Sequence, residues 1–193
     1  MPKYWPTLLA LLVGFAALVL GFHTHIGGED HLHAASRFTA RVGFPFLIIA
    51  YSASSLARLW PNDLTKALLR NRKWWGLGFA TTHTVHLFAL VHVLAAQAEP
   101  VNYLVLSPAI FAYVLLYAMA LTSWKWAYKA LGKWWKRLHT FGIHYLWLIY
   151  AAAYVLRIQD PGQRAIAIPF ALTAFGALGL RIAAWRKGKA RRA

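Results

Sequence analysis

Apolar positions along the chain gather into six long runs, near residues 6–22, 42–59, 75–97, 106–122, 134–157 and 165–185, separated by stretches richer in charge, tryptophan and turn residues. A run of about 17 to 25 apolar residues is what a helix needs to cross roughly 30 Å of hydrocarbon. A bilayer core has no water to receive backbone N–H and C=O groups, so runs this long must close their hydrogen bonds internally, as helices. The pattern predicts an all-α integral membrane protein, a six-helix bundle forming a single domain over residues 1–193. The first run could pass for a signal peptide. Only Lys3 precedes it, however, and "GFHTHIGGEDHLH" after it offers no small-residue cleavage site, so it is expected to remain as a span.

Composition agrees: 60% of the residues are hydrophobic and 13% charged, more apolar than an ordinary soluble domain. The formal net charge of +16 raises nucleic acid as a partner, but the positions of the charges point to membrane topology instead. Lys3, the 58–73 segment, the 125–137 segment and the tail from Arg181 onward hold 17 of the 21 basic residues. With six spans those four places share one side, which the positive-inside rule makes cytoplasmic, together with both termini. The opposite side carries Arg37, Arg41, Arg157 and Arg164 with Glu29, Asp30, Glu99 and Asp160. Trp5, Trp60, Trp74, Trp75, Trp124, Trp126, Trp134, Trp135 and Trp185 cluster at the expected span ends as an aromatic belt. Membrane lipid, not nucleic acid, is therefore the expected partner of the basic tail. The absence of cysteine excludes disulfides, thiolate metal sites and thiol catalysis.

Five histidines sit inside apolar runs: His83, His86 and His92 in the third span, His139 and His144 in the fifth. A polar group left unsatisfied in hydrocarbon costs several kcal/mol, and ionisable residues within spans generally face the bundle interior with a task. A proton relay would recruit carboxylates, and neither span contains one. Neutral imidazole is an axial ligand for haem iron. "WWGLGFATTHTVHL" and "WWKRLHTFGIHYLWL" both run from a tryptophan pair into a histidine-bearing helix, as two faces of one site would. Counted from those pairs at 1.5 Å per residue, His86 lies about 18 Å deep, His144 about 15 Å, His83 about 13 Å and His139 about 7 Å. His83 and His86 share a helix face, whereas His139 and His144 point about 140° apart.

The same stretches carry a family resemblance. "RNRKWWGLGFATTHTVHL" and "LTSWKWAYKALGKWWKRLHTFGIHYLW" resemble the ferric reductase-like transmembrane family. "SRFTARVGFPFLIIAYSASSLARLWP" is similar to the segment through the second span in the haem-binding membrane subunits of periplasmic methionine sulfoxide reductase systems. The resemblance covers nearly the whole chain and implies a bundle holding one or two haem b groups and passing electrons across a bacterial inner membrane. Its third-span histidine falls on His86 and its first fifth-span histidine on His139. A second fifth-span histidine frequent in the family is Ala152 here, and His144, level with His86, is the natural substitute. Resemblance thus names His86 and His139, depth favours His86 and His144, and His83 and His92 are further candidates.

No flavin or nicotinamide domain is visible, so electrons are expected from a partner: a cytoplasmic flavin reductase, whose flavin could be supplied or shared, or membrane quinol. The acceptor would be a periplasmic redox protein or a metal ion, making the chain an electron-transfer component rather than a stand-alone enzyme. Arg72, Lys73, Lys136 and Arg137 could hold propionates, a flavin phosphate or lipid headgroups. In the first outer loop, His23, His25, His31 and His33 flank Glu29 and Asp30 and could bind a divalent metal, although the spacing matches no defined site and solvent-facing imidazoles are the favoured reading. A histidine-lined proton or metal-ion transporter is the competing function. Midspan glycine or proline would favour it, but Pro45, Pro108 and Pro169 fall near the expected span ends.

Overall fold

A computed structural model describes residues 3–24, 30–98 and 100–190, and every regular element in them is helical. In chain order these are α1 (Trp5–His23), α2 (His31–Leu59), α3 (Asp63–Arg70), α4 (Arg72–Ala96), α5 (Tyr103–Leu121), α6 (Lys125–Leu131), α7 (Lys133–Arg157) and α8 (Arg164–Ala190). Five of them, α1, α2, α4, α5 and α8, are long and apolar enough to cross a membrane. The chain is thus a multi-pass membrane protein. α7 is as long as α4, at 25 residues, but its first turns carry Lys133, Lys136 and Arg137, which dilute its apolar character.

Two features differ from the expected spans. α2 begins at His31, well before residue 42, within what reads as a polar loop. Asp30 opens it: its carbonyl accepts from the Ala34 N–H at 3.1 Å and its carboxylate from the Leu32 N–H at 3.4 Å, an acidic group at the positive end of a helix dipole. The early start makes Pro45 a mid-helix residue, where its missing N–H deprives the Arg41 carbonyl of its usual helical donor. The basic connections also contain the short helices α3 and α6. α3 starts with a capping box in which the Asn62 side chain accepts from Thr65 N at 2.9 Å and Thr65 Oγ1 accepts from Asn62 N at 3.1 Å. α6 ends at Gly132, whose φ of 49° suits glycine alone.

The chain divides into two compact units, Met1–Leu47 with Lys73–Ser107, and Ile48–Arg72 with Pro108–Ala193. In the first, α1 runs parallel to α4. Thr7 Oγ1 donates to the Trp74 carbonyl at 3.2 Å, Trp5 meets Trp75 edge-on at 5.2 Å, and further along Gly14 lies against Thr82 and Val85. α2 runs antiparallel to both: Ala35 packs with Leu18, Val85 and Ala89, and Phe46 reaches Trp75 and Gly78. Small residues set these approaches. A Cβ at Gly21 would overlap the Ala35 backbone, and one at Gly78 would meet the Phe46 ring at 2.9 Å.

In the second unit α7 is antiparallel to α5 and to α8. Tyr145 Oη donates to the Pro108 carbonyl at 3.2 Å, and Gly142 abuts Met119. On the other face Trp147 Nε1 donates to the Ala174 carbonyl at 2.8 Å and Tyr154 packs on Phe170 at 4.5 Å. The last turns of α2 run parallel to the end of α8, with Tyr51 beside Arg181, Arg58 beside Ala184 and Leu59 beside Lys187.

Candidate functional site

The third-span histidines separate by environment. His86, on α4 in the first unit, is half-buried, and its Nδ1 lies 3.1 Å from Thr39 Oγ1 on α2. Thr39 has a single hydroxyl proton, with the Ala35 carbonyl at 2.7 Å and the Ser36 carbonyl at 3.0 Å to receive it. Carbonyls only accept, so the proton goes to one of them and Thr39 Oγ1 accepts from Nδ1–H of His86. This fixes the neutral tautomer with the lone pair on Nε2, the form in which imidazole binds a metal while its second nitrogen is held.

His83 is only 7% exposed, and its Nδ1 donates to the Phe79 carbonyl one turn back at 3.1 Å. Its ring lies 4.0 Å from that of Phe79 and 5.6 Å from that of His86, so the two histidines do share a face. Opposite it stands Gly43 of α2, where a Cβ would collide with the imidazole. His83 is therefore a packing element of the α2–α4 contact. His92 is exposed, donates from Nδ1 to the Phe88 carbonyl at 2.8 Å and lies 4.2 Å from the Phe88 ring, tilted by 46°.

On α7, in the second unit, His139 and His144 meet different neighbours, as their angular spacing requires. His139 Nε2 lies 3.0 Å from Thr122 Oγ1, just past α5, and its ring stacks on Trp135 at 4.1 Å. Trp135 Nε1 donates to the Thr122 carbonyl at 2.8 Å, closing a three-residue cluster. Thr122 Oγ1 is itself 2.6 Å from the Ala118 carbonyl, so its proton goes there and His139 donates through Nε2. His144 donates from Nδ1 to the Thr140 carbonyl at 2.7 Å and meets the Tyr51 ring edge-on at 5.5 Å.

Each of the five imidazoles has one ring nitrogen held by a neighbour, and imidazole nitrogen suits haem iron better than a hard cation. The second unit also contains two buried hydroxyls, Tyr51 Oη and Ser52 Oγ, with no partner among the described residues. Such orphans mark places that water or a bound group completes. The residues present fit a haem.

Among the described residues no three His, Asp or Glu side chains form a group that could hold a metal ion. His23 ends α1, His31 and His33 open α2, and His31 Nδ1 pairs with the Asp30 carboxylate at 2.9 Å. His25 and Glu29 lie outside the described residues. Sequence reasoning missed Thr39, which lies 47 residues from His86 and carries no local signal. Thr122 lies in the "LTSW" of the family-like stretch, but nothing in the sequence ties it to His139, 17 residues on.

No family model matches the chain, and no solved structure matches it. Among curated proteins, the chain is 30% identical over 199 residues to the protein-methionine-sulfoxide reductase heme-binding subunit MsrQ of Enterobacter sp. (strain 638), covering 95% of this chain and 88% of that protein. It is also 30% identical over 156 residues to proteins of the same name from Yersinia pseudotuberculosis serotype O:1b (strain IP 31758) and Yersinia pestis (strain Pestoides F). These alignments cover 73% of this chain and 75% and 74% of the relatives. Identity at this level along nearly its full length means that the chain belongs to the MsrQ family.

Proposed function

We propose that this chain is the b-type haem subunit of a methionine sulfoxide reductase system, carrying electrons across a bacterial inner membrane to an external partner. The observation that carries the reading is the Thr39–His86 bond, a half-buried imidazole fixed through Nδ1 by a hydroxyl whose own proton is already committed. The relatives' printed names, heme-binding subunits of a protein-methionine-sulfoxide reductase, support it independently.

Haem, when bound, supplies reversible one-electron chemistry. The chain's own residues do the rest. His86 would hold a haem iron through Nε2, with Thr39 holding the ring. His139, with Trp135 stacked on its face, would be the ligand offered by the second unit, and ligation at its Nε2 would take the place of its bond to Thr122. His83 stays in the α2–α4 packing and His92 on the surface. The apolar helices exclude water from the path, which keeps transferred electrons from solvent. Reducing equivalents enter from a flavin reductase or quinol at the basic side and leave toward a reductase partner on the other.

Helix directions support six spans with both termini cytoplasmic. α7 is antiparallel to both α5 and α8 along its length, and α8 runs parallel to the end of α2. That order requires α7 to cross the same layer despite its charged first turns. The test of the function is a reduced-minus-oxidised absorption spectrum of the purified protein and its histidine variants.

A further inference from the structure

The parallel ends of α2 and α8 are joined by cations. Arg181 Nη1 donates to the Tyr51 carbonyl at 2.9 Å, Arg58 Nη1 to the Ala184 carbonyl at 3.3 Å, and Lys187 Nζ to the Leu59 carbonyl at 3.1 Å. Both helices present the negative ends of their dipoles here, which the cations offset. Between them lies a cavity of about 400 Å³ whose polar wall is Ser54, Ser55, Arg58, Arg181 and His144. A guanidinium has five N–H donors. Each arginine commits one of its terminal nitrogens to a carbonyl, and Arg181 lays its planar group over the Tyr51 ring at 4.4 Å. Neither pairs with a carboxylate among the described residues.

Two arginines facing one cavity beside two hydroxyls, with no carboxylate on them among the described residues, call for an oxyanion with several acceptor atoms. The remaining wall decides its source. Leu178, Ile182, Ala184 and Trp185 complete the lining, and Ile182 and Trp185 are 44% and 56% exposed. The cavity therefore opens past apolar side chains onto the surface that a bilayer covers, with a tryptophan where the belt lies. A ligand with a charged head and an apolar tail satisfies both walls, whereas a soluble phosphate would leave the apolar mouth uncovered.

We propose that this cavity binds the headgroup of an anionic phospholipid, with Arg58 and Arg181 on the phosphate oxygens and an acyl chain along Ile182 and Trp185. Basic pockets between membrane helices on the cytoplasmic side are suited to such headgroups. His144, the ligand candidate favoured by depth, lines this cavity, so the proposal rests on the reading in which His86 and His139 are the ligands; loss of lipid retention with the haem spectrum unchanged separates the two.

The test is native mass spectrometry of the full chain, delipidated in mild detergent and then offered phosphatidylglycerol, phosphatidylcholine or glycerol 3-phosphate. One phosphatidylglycerol per chain is expected, at least tenfold preferred over phosphatidylcholine, with no displacement by glycerol 3-phosphate. Arg58→Gln with Arg181→Gln is expected to lower that retention tenfold or more, whereas Arg186→Gln with Lys189→Gln, an equal charge loss outside the cavity lining, leaves it unchanged. Because the two arginines also brace the helices, Ser54→Phe serves as a second variant: it fills the cavity without removing a brace and is expected to abolish the preference. Equal retention of the two lipids, equal loss in both charge variants, or displacement by glycerol 3-phosphate overturns the proposal. So does full retention in Ser54→Phe.

Discussion

Thr39 and His86 belong to different helices, and their side chains meet at 3.1 Å through Oγ1 and Nδ1. The contact orients the ring and sets its tautomer, because the threonine proton is already directed to a backbone carbonyl. Partners of this kind around metal-ligating histidines are typically worth about 10–100-fold in affinity. Thr39→Val keeps the shape and removes the acceptor. Haem affinity, read by titrating apoprotein with haem, is expected to fall about 10–100-fold, with Thr39→Ser restoring most of it.

Thr122→Val offers the contrast. Thr122 meets His139 at Nε2, the nitrogen that iron would occupy. Removing its hydroxyl takes away a contact that ligation must replace, so haem affinity in the same titration is expected to stay at or above that of the parent. A tenfold loss would mean that Thr122 supports the ligand as Thr39 does.

Gly43→Ala probes the role given to His83. The added methyl group collides with the imidazole in the α2–α4 contact, and overpacking of this kind costs about 1–3 kcal/mol. The melting temperature of the apoprotein is expected to fall. In a double-mutant cycle, His83→Ala is expected to recover part of that loss, since the methyl group then occupies the space the ring vacates.

The topology has its own test. With six spans, reporters fused to the N-terminus and to the C-terminus both report the cytoplasm. A reporter in the Asp160–Gln163 connection between α7 and α8 reports the opposite side. Termini on opposite sides would remove α7 from the spans.

Much of the fold was legible because hydrocarbon imposes a simple rule, long apolar runs closed as helices. Each of the six runs coincides with a long helix. The early start of α2 was not legible: residues 31 to 41 interleave histidine, serine, threonine and arginine with apolar residues, and only the Asp30 cap, a local geometry, shows that the helix has begun. That start also moved Pro45 from a span end to a helix interior. α3 and α6 lie in segments whose basic residues dominate the reading, and their amphipathic turns are too short for a periodic signal. At the site, the histidines were plain because imidazole in an apolar run is conspicuous. Their sorting was not, since the collision partner of His83 and the threonines beside His86 and His139 lie on other elements. Arg58 and Arg181 read as topology markers in the sequence, and only packing shows that they line one cavity.

The most direct measurement is the reduced-minus-oxidised absorption spectrum of protein expressed with ample haem, repeated on His86→Ala, His139→Ala, His144→Ala and His92→Ala. A b-type signal is expected in the parent, lost or strongly altered in His86→Ala and His139→Ala and retained in His144→Ala and His92→Ala. Loss on His144→Ala with retention on His139→Ala would move the second ligand to His144. No haem signal in the parent would contradict the electron-transfer function itself.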